Sequence, residues 1–252
     1  MTLLVGILAK DGVVIAADSA LTMAQADGKT PTITDSHRKI HVLGEKRYIL
    51  AGTGEVGLAQ RAADRIERAW KGKEFTTSWT HIQVGTQVAR WCLQDFQESA
   101  ASRGGLGALL AFYSSGEPHL VEFAVKDFQP EAKTPGCWYV SMGSGQLLAD
   151  AYLALIRRTA WNDGQPTLEN AILAAWWVMQ NAIVASPGFV GEPIDIAVLR
   201  KNTKGDPSAY LLTEDDLELH KERASTANSA LQGALSLTPS VAAAPMPAPP
   251  SK

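Results

Sequence analysis

Two apolar runs at the start of the chain set the tightest limit on its fold. Residues 2–9 read Thr-Leu-Leu-Val-Gly-Ile-Leu-Ala, and residues 12–18 read Gly-Val-Val-Ile-Ala-Ala-Asp. The polar segment Lys10-Asp11-Gly12 turns one into the other. Short β-rich runs on either side of such a turn predict a hairpin. A strand with one wet face alternates apolar and polar residues, and these two do not. Both faces of the hairpin must therefore be covered, which places it in an inner layer.

The rest of the chain supplies those layers. Residues 22–36 are polar, with Gly28 and Pro31, and read as a loop. Strands are expected at 39–43 and 47–51. A helix follows over 56–70, where Leu58, Ala62, Ile66 and Ala69 recur at helical spacing, and a second over 78–101 with Ile82, Val88, Trp91, Cys92 and Phe96 on its apolar side. Strands resume at 107–113, 119–125 and 138–142. Helices follow at 146–161 and 167–185, with Trp176 and Trp177 suited to helix packing or a subunit contact. Strands at 194–200 and 209–212 and a short helix at 214–222 close the pattern. Strands, two helices, strands, two helices, strands is the order of an α+β four-layer αββα sandwich, in which every element buries one face.

From about Ser225 onward the chain turns to Ser, Ala, Thr and Pro and ends in a Pro-rich stretch. It lacks the aromatic and β-branched residues that offset chain ordering. The expected organisation is one domain over 2–224 and a disordered Ala/Ser/Pro-rich tail over 225–252.

Composition excludes several function classes. A net charge of −3 and the absence of a basic run give no pull toward nucleic acid or an anionic membrane. No apolar stretch approaches the ~20 residues of a membrane span, and Asp11 interrupts the first run too early for a secretory signal. The two cysteines, Cys92 and Cys137, have no metal or redox spacing and read as thiols of a reducing compartment. A cytoplasmic protein is expected.

The candidate chemistry begins at Thr2. Initiator Met is ordinarily trimmed before a small residue, and trimming Met1 exposes Thr2 as the first residue. Its hydroxyl is then a nucleophile and its α-amine a base within one residue. An ordinary α-amine titrates at about 7.7–8.0, against about 10.4 for a lysine, so it is partly neutral near pH 7. Asp18 ends the second buried run and needs a partner, because an isolated buried charge is costly. Lys39 can supply it. Spacing alone favours a structural ion pair or a surface lysine over a charge held beside Thr2. Gly52 ends a strand, where its N–H can approach an oxyanion closely or simply close a turn. Ser144, between Gly143 and Gly145 at a strand-to-helix junction, can assist proton transfer or cap the helix. The Gly143-Ser144-Gly145 segment lacks the G-x-S-x-G spacing of a serine hydrolase, no glycine pattern marks a phosphate loop, and the five histidines show no arrangement that marks a base.

Taken in order, Thr2–Ile7, the run from Asp11 to Ser19, Arg38-Lys39-Ile40, Ala51-Gly52, Met142-Gly143-Ser144-Gly145 and the run from Pro193 to Val198 resemble the proteasome β-subunit family of N-terminal-nucleophile hydrolases. The resemblance spans about residues 2–200. It points to the bacterial branch, which holds the HslV peptidase, the ancestral β-subunit and the betaproteobacterial proteasome homologue. It implies the αββα fold, with Thr2 as nucleophile, Asp18 and Lys39 as charged supports, Gly52 as oxyanion donor and Ser144 as assisting hydroxyl. Thr22 matches the backbone position that pairs with extended substrate. Leu21 and Leu50 match walls of the pocket before the scissile bond, which implies an apolar preference.

The implied activity is threonine peptidase action on unfolded polypeptide, with no metal or organic cofactor. The implied assembly is a homo-oligomer of stacked hexameric or heptameric rings, fed by an ATP-dependent unfoldase. Two departures stand out. The loop between Asp18 and Lys39 is long, and Pro187-Gly188-Phe189-Val190 lacks the acidic residue and serine that support the nucleophile in many members. A catalytically silent ring subunit or scaffold, or an amidase on a small substrate, fits the same residues.

Overall fold

A computed structural model describes residues 2–24, 31–76, 78–99, 105–162, 164–186 and 190–236, and for 21–24 and 31–36 the backbone alone. The opening hairpin is β1 (Leu3–Ala9) and β2 (Gly12–Asp18), and every residue of both strands is buried. Next come β3 (Ala20–Ala24), β4 (Pro31–Ser36), β5 (Ile40–Leu43) and β6 (Tyr48–Gly54). Helices α1 (Val56–Lys71) and α2 (His81–Glu98) follow, then β7 (Leu106–Ser114), β8 (Glu117–Phe123), β9 (Pro130–Ala132) and β10 (Tyr139–Gly143). Helices α3 (Gln146–Ala160) and α4 (Leu168–Ala185) lead to β11 (Ile194–Lys201), β12 (Pro207–Leu211) and α5 (Glu214–Ser236).

The strands form two five-stranded antiparallel sheets, one in the order β10-β1-β2-β11-β12 and the other β5-β6-β7-β8-β9. Helices α3 and α4 cover the first sheet, and α1 and α2 the second. This is the expected αββα sandwich. The period of two in the second sheet explains how it serves two cores. Ile49 and Ala51 of β6, with Leu109 and Ala111 of β7, face the first sheet and join its cluster. Tyr48 and Leu50, with Ala108, Leu110 and Phe112, face the helices and pack with Leu58, Ala62, Ile66 and Phe96. The first hairpin has no wet face because the second sheet lies on one side and α4 on the other.

Several expectations are corrected. The segment read as a loop over 22–36 forms part of a separate two-stranded sheet, β3 with β4. The β-branched run Thr32-Ile33-Thr34 favours extended chain, a signal outweighed in the sequence by Gly28 and Pro31. Helix α2 starts at His81 rather than 78, because Thr80 and Gln83 form a reciprocal capping box. Ile82, assigned to the apolar side, lies exposed in that first turn. The three-residue β9 is too short to show a period.

Helix α5 runs through Ser236, well past the expected stop at 222 and across the boundary drawn at 225. Its buried residues end at Ala224, but Trp177 of α4 donates from Nε1 to Asn228 Oδ1 at 3.0 Å, one turn farther along. The rest of the expected tail, 237–252, lies outside the described residues. Among the described residues no helix is long and apolar enough to cross a membrane.

Candidate active site

The site forms where β1 begins. Thr2 is buried, and its backbone nitrogen lies 3.1 Å from Ser144 Oγ. Ser144 Oγ also sits 3.3 Å from the Thr2 carbonyl oxygen, and the Gly145 N–H donates to that same oxygen at 3.4 Å. Antiparallel pairing of β1 with β10, Leu3 opposite Gly143, brings these residues together across the chain. Gly143 has φ +96°, and a Cβ there would stand 2.1 Å from the Thr2 carbonyl oxygen. Only glycine fits both the backbone angle and the gap.

Asp18 ends β2 directly behind this point and is fully buried. Its Oδ1 accepts from Lys39 Nζ at 2.7 Å and from the Leu3 N–H at 2.8 Å. Its Oδ2 accepts from the Ala20 and Gly191 N–H groups, each at 3.3 Å. A buried carboxylate needs this set of partners to balance the water it has lost. Lys39 is nearly as buried as Asp18. Burial pushes its ammonium below the ordinary lysine range, and Asp18 acts in the opposite direction. The pair tethers Lys39 beside the start of β1.

A small cavity of about 50 Å³ opens next to Thr2. Lys39, His37 and His41 line it, with Gly52, Thr53 and Ala59 among the remaining walls. Gly52 thus shares the cavity with Thr2, but its N–H already donates to the Lys39 carbonyl at 3.3 Å. Leu50 does not line this cavity; it is buried in the cluster beneath α1 and α2. The side chains of Leu21 and Thr22 lie outside the described residues, as do 187–189. Of the stretch that departs from the family pattern, Val190 is described and is buried.

Sequence reasoning missed three contributors. Gly191 supplies an N–H to Asp18, a backbone role that no residue type reveals. His37 and His41 stand two residues to either side of Lys39, and strand alternation predicts that all three share a face. Burial pushes the His41 imidazole below its ordinary value, and His37 adds to that shift. Among the described residues no group of three or more His, Cys, Asp or Glu side chains could hold a metal ion.

A family model described as proteasome subunit matches residues 2–172. The chain belongs to the proteasome subunit family. No curated protein matches it. Among solved structures it resembles the ancestral β-subunit Anbu from Yersinia bercovieri, with a TM-score of 0.70 and 18% identity over 96% of this chain and 100% of that one. A Gly-1 mutant of Anbu from Hyphomicrobium sp. strain MC1 gives a TM-score of 0.67 and 19% identity, covering 94% and 98%. The helical assembly of the Anbu complex from Pseudomonas aeruginosa gives 0.67 and 18%, covering 99% and 98%. These likenesses establish the proteasome-like sandwich and agree with the bacterial branch of the family.

Proposed function

We propose that this proteasome-family subunit is a threonine peptidase whose nucleophile is Thr2 after removal of Met1. The observation that carries the reading is the Thr2 backbone nitrogen, held 3.1 Å from Ser144 Oγ with the buried Asp18–Lys39 pair beside it. Once Met1 is gone, that nitrogen is an α-amine. It takes the hydroxyl proton as Thr2 Oγ attacks a peptide carbonyl. The C–N bond then breaks, and the amine returns the proton to the leaving group. Water hydrolyses the resulting ester and restores Thr2. The positive charge of Lys39 lowers the proton affinity of the amine, which keeps it neutral and basic near pH 7. Ser144 Oγ orients the amine.

The Gly52 N–H is the oxyanion donor in this reading. Its bond to the Lys39 carbonyl, at 3.3 Å, is longer than the usual 2.9–3.0 Å for N–H···O, so that carbonyl is a weak competitor for it. The substrate class is unfolded polypeptide, confined within a stacked homo-oligomeric ring in the cytoplasm, with an ATP-dependent unfoldase as feeder. The reading needs no metal or organic cofactor.

A catalytically silent subunit is the second reading, favoured by the engaged Gly52 N–H. Intact mass and N-terminal sequencing of purified protein, before and after a threonine-directed electrophile, separate the two. Loss of Met1 and one adduct on Thr2, absent in Thr2→Ala, support the peptidase. Retained Met1, or an unlabelled Thr2, supports the silent subunit.

A further inference from the structure

Three basic side chains crowd the cavity beside Thr2. His37, Lys39 and His41 all line it, and no carboxylate does so among the described residues. Asp18, which pairs with Lys39, does not line it, and its oxygens are taken by Lys39 and three N–H groups. Arg38 points away to Asp195, 3.5 Å distant, and Ile40 enters the core between the sheets. Alternation along this segment therefore delivers basic residues to the cavity and sends their neighbours elsewhere.

The other walls are Ala20, Gly52, Thr53, Gly54, Val56 and Ala59 beside Thr2, most of them small. Two features of the fold fix the backbone at both histidines. The His37 N–H donates to the Ser19 carbonyl at 2.7 Å, and His41 pairs with Leu50 across the β5–β6 ladder.

We infer that His37 and His41 make this cavity a specificity subsite for a short acidic side chain, aspartate above all, on the acyl side of the scissile bond. The inference rests on the peptidase reading and replaces the apolar preference expected from Leu21 and Leu50. An imidazole carries at least one N–H donor in either protonation state, so both histidines can donate to a carboxylate. The Lys39 ammonium adds charge from the cavity floor. A leucine side chain in the same place would offer the two imidazoles no acceptor, and polar sites reject apolar analogues in this way. The volume of about 50 Å³ favours a short side chain over an aromatic one.

The test is a panel of fluorogenic peptides identical except for Asp, Glu, Asn, Leu, Tyr or Arg before the reporter. It is run on the assembled wild-type protein, His41→Leu and His41→Gln. A parallel measurement follows adduct formation on Thr2 by a small electrophile with no side chain at that position. The expected result is kcat/KM at least about tenfold higher for Asp than for Leu. In His41→Leu that ratio falls at least about tenfold, and His41→Gln, which keeps a donor, lies between. Thr2 labelling with an equal or apolar-favouring panel overturns the subsite and leaves the peptidase reading standing. No Thr2 labelling and no cleavage of any peptide overturns both.

Discussion

Asp18 Oδ1 lies 2.8 Å from the Leu3 nitrogen and 2.7 Å from Lys39 Nζ, so one carboxylate oxygen fixes both the residue after Thr2 and the cation beside it. Removing its charge strands a buried ammonium and loosens the start of β1. Asp18→Asn is expected to cost about 3 kcal/mol in urea denaturation. It should also lower peptide hydrolysis about a hundredfold, since a misplaced reacting group alone has that effect. Wild-type stability in the Asp18→Asn variant would show that the ion pair contributes little.

Thr2→Ala and Thr2→Ser divide the role of the hydroxyl from that of the fold. Thr2→Ala should keep the wild-type far-UV spectrum and assembly state while hydrolysis falls to background. Thr2→Ser keeps both the oxygen and the amine and should retain measurable turnover. Equal activity in the Ala variant and wild type would remove Thr2 from the chemistry.

Gly143→Ala tests the close approach of β10 to Thr2. The added methyl meets the Thr2 carbonyl at 2.1 Å on a backbone with φ +96°. The strain should cost about 1–3 kcal/mol, and relieving it moves Thr2. Thermal melting and kcat/KM should fall together. Ser144 and Lys39 are unchanged in sequence, so a loss of activity would report position alone.

The capping box at the start of α2 gives a prediction remote from the site. Thr80 Oγ1 accepts from the Gln83 N–H at 3.3 Å, and Gln83 Oε1 accepts from the Thr80 N–H at 2.9 Å. Thr80→Ala should destabilise the fold by about 1 kcal/mol. Activity per folded molecule should be unaltered.

Stability should fall on mild acidification, through His220. It is buried on α5, 3.4 Å from Glu169, and its Nδ1 finds no hydrogen-bond partner among the described residues. Burial pushes its pKa below the ordinary 6.5, Glu169 opposes that shift, and Arg223 reinforces it. The unfolded chain therefore binds more protons in the window below 6.5, and stability rises with pH across it. Unfolding free energy measured between pH 7 and pH 5 should decline, and His220→Gln should flatten that slope. A slope unchanged by the substitution would assign it to other groups.

The layers were legible because burial writes itself into residue type. Ile15 and Val14 face opposite ways in β2, yet both are apolar, and that forces a cover on each side. Leu58, Ala62, Ile66 and Ala69 named the buried face of α1 correctly. The cost of a lone buried charge called for a partner for Asp18, but spacing alone left Lys39 open as a surface lysine. What stayed illegible depends on geometry that side-chain type does not encode. The Gly191 N–H reaches Asp18 through the fold, and the long α5 carries only three buried residues, so no apolar stripe marks its length. His37 and His41 were visible as residues, but their shared cavity with Thr2 depends on how β5 meets β6 and α1.

The β3–β4 hairpin is bonded to itself and belongs to neither large sheet, while Ala20 and His37 at its two ends both border the cavity. Extra residues at its tip would shift no ladder register in the body of the sandwich. A change in length between these two strands therefore leaves the registers of both large sheets, and the buried Asp18–Lys39 pair, as they are.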